Sequence, residues 1–328
     1  KVIRLSSQLI LKKKNYFLSF LKKIKCFENN PHIAVGVSGG PDSMALAILL
    51  QKWVRQQKGK LTGLIFDHQI RLDSKDESFF VKKMLSRYNI DSFILKPPKN
   101  KIIKKNMADA RLNRFSSILN FCVKNKIIHL FLGHHFDDNI ETYLIRKING
   151  SNLEGLSCMS LISNYKNIQI VRPFIATSKI SIIKFNKKNK INFINDPSNI
   201  DINFTRVKVR NFLKIKKNYK LVKNDFIKIK RQIPDYRSMI WELFIENLVN
   251  VGSKKVILNL IKLNESDLLI IEKHIGLVLN FFNRNKNQTK TEKIHKMIEQ
   301  INKPNFKYFN LSGVSIQKQS NLLIFYQN

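Results

Sequence analysis

The chain has 328 residues, 43% of them hydrophobic, which is enough for a sizeable core and suggests about two domains. Its 59 Lys and Arg stand against 23 Asp and Glu, a net charge of +36, so a polyanion is the expected partner, nucleic acid first. Cys26, Cys122 and Cys158 lie far apart and form no C-x-x-C pair, which excludes a disulfide scaffold and suits a reducing compartment, the cytoplasm.

Residues 15–27 read as a basic amphipathic helix. Residues 1–27 resemble a targeting segment in charge, but a helix is the expectation, since the opening lacks an uninterrupted apolar core and a small-residue cleavage site. The chain opens on Lys1 without Met, so a few residues are expected upstream. No apolar run approaches the roughly 18 residues of a membrane span. Neither a membrane nor a protein partner is expected.

Residues 33–37 form a short apolar run that ends in Ser38-Gly39-Gly40. A helical pattern follows with Pro41 at its first position, where the missing N–H costs nothing, and runs to about Gln57. Two glycines bring backbone N–H groups close to an anion, and the dipole of the new helix favours phosphate there. Ser38 and Ser43 can donate hydroxyls to phosphate oxygens, and Asp42 can hold a Mg²⁺ bound to them. The spacing is not that of a Walker A loop. On these residues alone, a glycine-rich turn without ligand is the other reading.

A second apolar run, 61–66, ends in Asp67-His68-Gln69-Ile70-Arg71. Ser74-Lys-Asp-Glu77 is a capping box that opens a helix to about Arg87. Residues 91–95 form a third strand, and a long helix over 103–125 carries Arg111 and Arg114. A fourth strand, 127–132, leads into Gly133-His-His-Phe-Asp-Asp-Asn-Ile-Glu-Thr142 and the next helix. This alternation predicts an α/β fold with a doubly wound, mainly parallel sheet. Ligands of such sheets sit at the carboxyl ends of the strands, where 38–43, 67–71 and 133–138 all fall.

Further on come a loop over 149–159, a short strand over 168–174 ending in Arg172-Pro173, and a basic helix over 178–188. A dense turn, Asn195-Asp-Pro-Ser-Asn199, precedes Phe204-Thr-Arg-Val-Lys-Val-Arg210. Beyond about Lys220 the helices are basic and amphipathic. Residues 306–327 suggest a small terminal β-meander with turns at Gly313 and 319–321. The expected architecture is therefore a doubly wound domain, 1–215, followed by a smaller, mostly helical and basic domain, 216–328.

His134, Asp138 and Glu141 have i, i+4, i+7 spacing, which predicts one helical face. Three readings stand. His134, His135, Asp137 and Asp138 can ligate a metal. A carboxylate pair can hold a cationic amine and help remove its proton. Or the acids simply favour the dipole of a solvated helix start.

Ser38-Gly-Gly-x-Asp-Ser after a buried strand resembles the pyrophosphate-binding loop of the N-type ATP pyrophosphatases, the PP-loop superfamily. The order of motifs from about 30 to 215 resembles the tRNA(Ile)-lysidine synthetases. It includes Asp67-His-x-x-Arg71, Ala110-Arg111-x-x-Arg114-Phe115, the 133–142 stretch, Gly155-Leu-x-x-Met159, Arg172-Pro-Phe174 and the Asp196–Arg210 pattern. Residues 308–316 are weakly similar to the terminal segment of shorter members. Three departures are Gln69-Ile70 where Gly-Leu is usual, Cys158 where glycine is common, and Val207 where Asn usually follows the arginine.

The resemblance implies a ligase. ATP adenylates the C2 oxygen of the wobble cytidine in a minor isoleucine tRNA with a CAU anticodon, and free L-lysine displaces AMP to give lysidine. By position it assigns Ser38, Gly39, Gly40, Pro41, Asp42 and Ser43 to ATP and Mg²⁺, with Asp67 and Arg71 at the nucleotide edge. Arg111 and Arg114 fall to tRNA or phosphate, His134 to the reacting phosphate, and Asp138 and Glu141 to lysine. Arg206 and Arg210 fall to charge on the α-phosphate or to tRNA. The 216–328 region becomes a tRNA-binding domain. The competing readings are a tRNA thiolase, for which the cysteines supply no pairing, a GMP or NAD synthetase, and an inactive RNA-binding module.

Overall fold

A computed structural model of the chain describes residues 14–24, 26–67, 74–97, 107–194, 205–282, 291–303 and 306–327. The expectations placed on His68, Gln69, Ile70 and Arg71, on the turn at 195–199, and on Phe204 lie outside these residues, as does the side chain of Arg111. The chain divides into two compact units, Lys1–Ile227 and Lys228–Asn328.

The first unit holds α1 (Lys14–Ile24), β1 (His32–Val37), α2 (Pro41–Gln56), β2 (Lys60–Phe66), α3 (Ser74–Ser86), β3 (Asp91–Leu95) and α4 (Met107–Lys124). There follow β4 (His129–Phe131), α5 (Phe136–Ile148), α6 (Leu153–Leu156), β5 (Ile162–Tyr165), β6 (Ile168–Val171), α7 (Lys179–Lys188), α8 (Thr205–Lys214) and α9 (Lys216–Asn247), which continues into the second unit. The sheet order is β3-β2-β1-β4-β6-β5. All neighbours pair in parallel except β5, which lies antiparallel on β6. This is the doubly wound, mainly parallel sheet the alternation predicts.

The strands are apolar on both faces because both faces are covered. One layer packs Phe17 and Leu21 of α1, Leu46 and Trp53 of α2, Val81 of α3 and Ile182 of α7 against Ile33, Val35 and Phe131. The other packs Ile118, Leu119 and Cys122 of α4 against Ala34, Leu64, Leu130 and Ile170. Burial pushes the Cys122 thiol up to about 12, so this cysteine is a core residue, not a nucleophile.

Within the sheet and helices of the first unit the structure differs from the sequence reading as follows. The edge strand β5 was not expected: its polar Ser163 and Asn164 and half-exposed burial give no apolar run. A short helix, α6, interrupts the expected loop over 149–159. β4 has only three residues, and α5 starts at Phe136 instead of at Gly133.

In the second unit, β7 (Leu248–Val251), β8 (Lys255–Asn259), α10 (Leu260–Asn264), α11 (Leu268–Phe282), α12 (Thr291–Ile301), β9 (Tyr308–Leu311), β10 (Val314–Gln319) and β11 (Leu322–Gln327) follow the end of α9. The terminal meander is present and is larger than expected, because β8 adds to β11 and the sheet reads β7-β8-β11-β10-β9. Ser312 and Gly313 both take positive φ, 56° and 80°, as a tight two-residue hairpin turn requires. Val278, Leu279 and Met297 of the helices close its inner face over Leu258, Ile316 and Phe325.

Candidate active site

β1 delivers the chain to Ser38 at its carboxyl end, and α2 begins three residues later. Gly40 is the N-cap of α2, in extended conformation, and no side chain caps the first turn. The N–H groups of the first turn are therefore left without a side-chain cap, the condition under which a helix start can take an anion. Ser43 organises the loop from inside: its Oγ accepts from the Ser38 N–H at 3.2 Å and donates to the Gly40 carbonyl at 3.1 Å. Gly39 takes φ +83°, and a Cβ there would stand 2.6 Å from Cγ2 of Val81, so no other residue fits. The Gly39 carbonyl accepts from the Ile194 N–H at 2.9 Å, and the Pro41 carbonyl accepts from Asn186 Nδ2 at 2.8 Å. The cradle is thus fixed before any ligand arrives.

Asp42 stands on the first turn of α2. Its Oδ2 carries the ammonium of Lys179, the first residue of α7. Its Oδ1 is buried and has no hydrogen-bond partner among the described residues; His135 Nε2 is 3.9 Å away. An orphaned carboxylate oxygen beside an open phosphate cradle fits a Mg²⁺ shared with phosphate oxygens, which needs only one or two carboxylates. Among the described residues no group of three or more His, Cys, Asp or Glu can hold a metal, so the four-ligand centre drawn from His134, His135, Asp137 and Asp138 does not form.

The second motif reaches the cradle through its glycine. A Cβ on Gly133 would lie 3.1 Å from the carbonyl carbon of Asp42 and from the Ser43 nitrogen, so the β4–α5 turn lies main chain to main chain against α2. His135 caps α5. Its Nδ1 accepts from the Asp138 N–H at 3.3 Å, while Asp138 Oδ2 accepts from the His135 N–H at 3.0 Å. An accepting Nδ1 puts the imidazole proton on Nε2, which points toward Asp138 Oδ2 at 3.6 Å and Asp42 Oδ1 at 3.9 Å. Because the helix starts at Phe136, His134 lies outside it, and the expected single face of His134, Asp138 and Glu141 reduces to the last two.

The two aspartates have separate tasks. Asp137 accepts the Lys179 backbone N–H at 2.7 Å and the Tyr219 hydroxyl at 2.8 Å, tying α7 and α9 to α5. Asp138 turns toward the site. Burial works against its charge, but His135, the His135 N–H, His134 and Arg206 together hold its carboxyl below the usual value, so it stays ionised.

Glu141 is buried between two arginines: Arg206 Nε donates to its Oε2 at 3.0 Å and Arg210 Nε to its Oε1 at 2.8 Å. Both come from α8, one turn apart. Burial opposes the Arg210 charge, and Glu141, aided by Asp138 and Asp42, more than restores it, raising its pKa above normal. Arg206 Nη2 is also 3.9 Å from Asp138 Oδ1.

Of the remaining expected residues, Asp67 is buried at the end of β2, its N–H donating to Leu95 O at 2.9 Å, and Arg114 lies half-buried on α4. Lys179, Asn186, Asn139 and Tyr219 were missed. The one usable signal was Ser178, an N-cap residue just past a strand end, which places Lys179 at the same sheet edge. Asn139 pairs both ways with the Met159 backbone, at 3.1 and 3.0 Å, and holds a loop in which Cys158 takes φ +59°. That left-handed backbone explains why glycine suits the position of Cys158.

The PP-loop domain model matches residues 11–216, and the chain belongs to that family. It is 34% identical over 198 residues to the tRNA(Ile)-lysidine synthase of Orientia tsutsugamushi, covering 60% of this chain and 45% of the relative. The synthase of Wolbachia pipientis wMel is 35% identical over 198 residues, with 60% and 46% covered. That of Bradyrhizobium diazoefficiens is 32% identical over 185 residues, with 56% and 51% covered. The chain spans about half the length of these curated relatives. Among solved structures, the U34-tRNA thiolase NcsA from Methanococcus maripaludis with its 4Fe-4S cluster shares the fold, at TM-score 0.55 and 18% identity over 67% of this chain and 79% of that one.

Proposed function

We propose that the chain carries out the tRNA(Ile)-lysidine synthase reaction. ATP adenylates the C2 oxygen of the wobble cytidine in a CAU-anticodon isoleucine tRNA and releases pyrophosphate. The amine of free L-lysine then displaces AMP at C2 and loses a proton. The observation that carries this reading is the main-chain apposition of Gly133 on Asp42 and Ser43, which joins a phosphate cradle to an acidic helix start.

Ser38, Gly39, Gly40, Pro41 and Ser43 hold the departing pyrophosphate against the open helix end. Asp42 would hold the Mg²⁺ that offsets the charge of the triphosphate. Asp67 and Arg71 are assigned to the nucleotide, and Arg111 and Arg114 to phosphate or tRNA, by their positions in the sequence motifs. His134 lies beside the reacting phosphate. Arg206 and Arg210, already aimed inward by Glu141, stabilise charge that develops on the α-phosphate. Asp138 presents negative charge to the ammonium of lysine, while Glu141, expected beside it, is bonded at both oxygens by Arg206 and Arg210 and serves lysine only through them; an Asp138 carboxyl held below its usual pKa is an anchor for that cation and a poor proton acceptor. Residues 216–328 add to the tRNA surface.

A thiolase reading finds no support in the cysteines: Cys122 is in the core, Cys26 donates to Gln169 Oε1 at 3.0 Å, and Cys158 sits on the Asn139-held loop. The test follows products. With ATP, Mg²⁺ and the tRNA transcript, pyrophosphate release should need the tRNA, and AMP release should need lysine in addition. AMP release with lysine and no tRNA would overturn the proposal.

A further inference from the structure

The positive charge is not spread evenly. Residues 1–227 hold 43 Lys and Arg against 15 Asp and Glu, net +28, while residues 228–328 hold 16 against 8, net +8. The densest described stretch begins at α8. From Thr205 to Asn224 there are eight basic residues, Arg206, Lys208, Arg210, Lys214, Lys216, Lys217, Lys220 and Lys223, and no acidic one. The first acid after them, Asp225, is already taken: Tyr143 Oη donates to its Oδ2 at 2.8 Å, and the ammonium of Lys147 also sits on it.

The two faces of this segment do different things. Tyr219 bonds Asp137, and Phe226 packs on Phe136 and Tyr143 at 6.0 and 5.3 Å between ring centroids, so one stripe at helical spacing fastens α9 to α5. Lys217 and Lys220 are exposed and stand off that stripe by helical spacing, and Lys214 and Lys216, on either side of Ile215, are exposed as well. At the start of the same segment Arg206 and Arg210 turn inward to Glu141. Two consecutive helices, α8 rooted in the site by two arginines and α9 fastened to α5 on one side, with exposed lysines on both, make a track for a phosphodiester backbone.

We propose that the α8–α9 face of the first unit, centred on Lys214, Lys217 and Lys220, is the main RNA-gripping surface of the protein, and that it holds the strand flanking the reacting nucleotide. This rests on the functional reading above and names the partner of that site as RNA, bound through its phosphates.

The test uses the full chain, an unmodified isoleucine tRNA transcript with CAU anticodon, and a combined variant, Lys214→Gln, Lys217→Gln and Lys220→Gln. A matched control carries Lys254→Gln, Lys262→Gln and Lys296→Gln, three exposed lysines of the second unit. Binding is measured across a salt series. Each lost phosphate contact lowers the log–log salt slope by about 0.7–0.9. The α8–α9 variant should lose about two units of slope and at least about tenfold in affinity at low salt, with ATP binding and thermal unfolding unchanged; the control should keep its slope. An unchanged slope in the α8–α9 variant, or a larger loss in the control, would overturn the inference while leaving the function standing. Loss of binding to phosphatidylserine vesicles, with RNA binding intact, would overturn it in favour of a membrane. A wild-type protein that ignores the transcript would sink the functional reading itself.

Discussion

Lys179 and Asp42, separated by 136 intervening residues, form an ion pair at the mouth of the phosphate cradle. The carboxylate expected to hold Mg²⁺ is therefore already paired with an internal cation, and its second oxygen is buried without a hydrogen bond among the described residues. Burying that charge is tolerable only while a partner is present.

Lys179→Met should accordingly lower the melting temperature of the ligand-free protein. Lys179 is about one-third exposed, so solvent screening limits the loss to about 1 kcal/mol, or about 2–4 °C for a unit of this size. Mg²⁺ with ATP should narrow the gap, because the metal replaces the missing cation. Thermal unfolding with and without Mg-ATP checks this, and an equal deficit under both conditions would contradict it.

Asp138→Asn keeps an oxygen that accepts the His135 N–H, so the α5 cap survives and only the charge is lost. The lysine KM should rise about 10-fold or more, the scale of one lost charged hydrogen bond, while tRNA-dependent pyrophosphate release changes less. Equal losses in both half-reactions would point to a nucleotide role for Asp138.

Cys158→Gly should raise the melting temperature slightly, by the balance of about 1–2 kcal/mol of left-handed strain relieved against about 0.4–1 kcal/mol of added chain entropy. Cys158→Val, β-branched at the same positive φ, should lower it. Calorimetry of the two variants separates backbone strain from loss of the thiol; equal destabilisation by both would assign the effect to the thiol.

Acid should weaken the second unit before it weakens the site. His274 is buried, accepting from Asn247 Nδ2 at 3.2 Å and donating to Ile240 O at 3.3 Å, and burial holds its pKa below the ordinary 6.5. The unfolded chain takes up that proton first, so this contribution is whole above about pH 6.5 and is lost as pH falls through the lowered native value. Asp138, depressed from 3.8, loses its contribution only in stronger acid. His274→Gln should be less stable near neutrality and show a shallower decline from about pH 7 to about pH 5. An unchanged acid slope would rule His274 out.

The sheet, its order of motifs and the cradle were legible because buried parallel strands are continuous apolar runs and because glycines mark the left-handed turn at Gly39 and the close main-chain approach at Gly133. β5 was not legible: it is a half-exposed edge strand turned by Lys166 and Asn167 without a glycine. His134 was placed one turn too far into its helix, because a histidine cap at His135 carries no compositional signal. Lys179 was missed for a different reason. A lysine at a helix start opposes the dipole, so locally it reads as an unfavourable surface residue, and only the fold brings Asp42 to it. The Glu141 bridge is of the same kind. Spacing placed Glu141 on the right face of α5 but could not report that two arginines more than 60 residues later would meet it.

The central claim is that the cradle and the acidic helix start serve one two-substrate reaction, and labelled lysine tests it most directly. Purified protein, ATP, Mg²⁺ and radiolabelled L-lysine should label a CAU-anticodon isoleucine tRNA and leave the methionine tRNA with the same anticodon unlabelled. ATP cleavage on that isoleucine tRNA without transfer of lysine would contradict it.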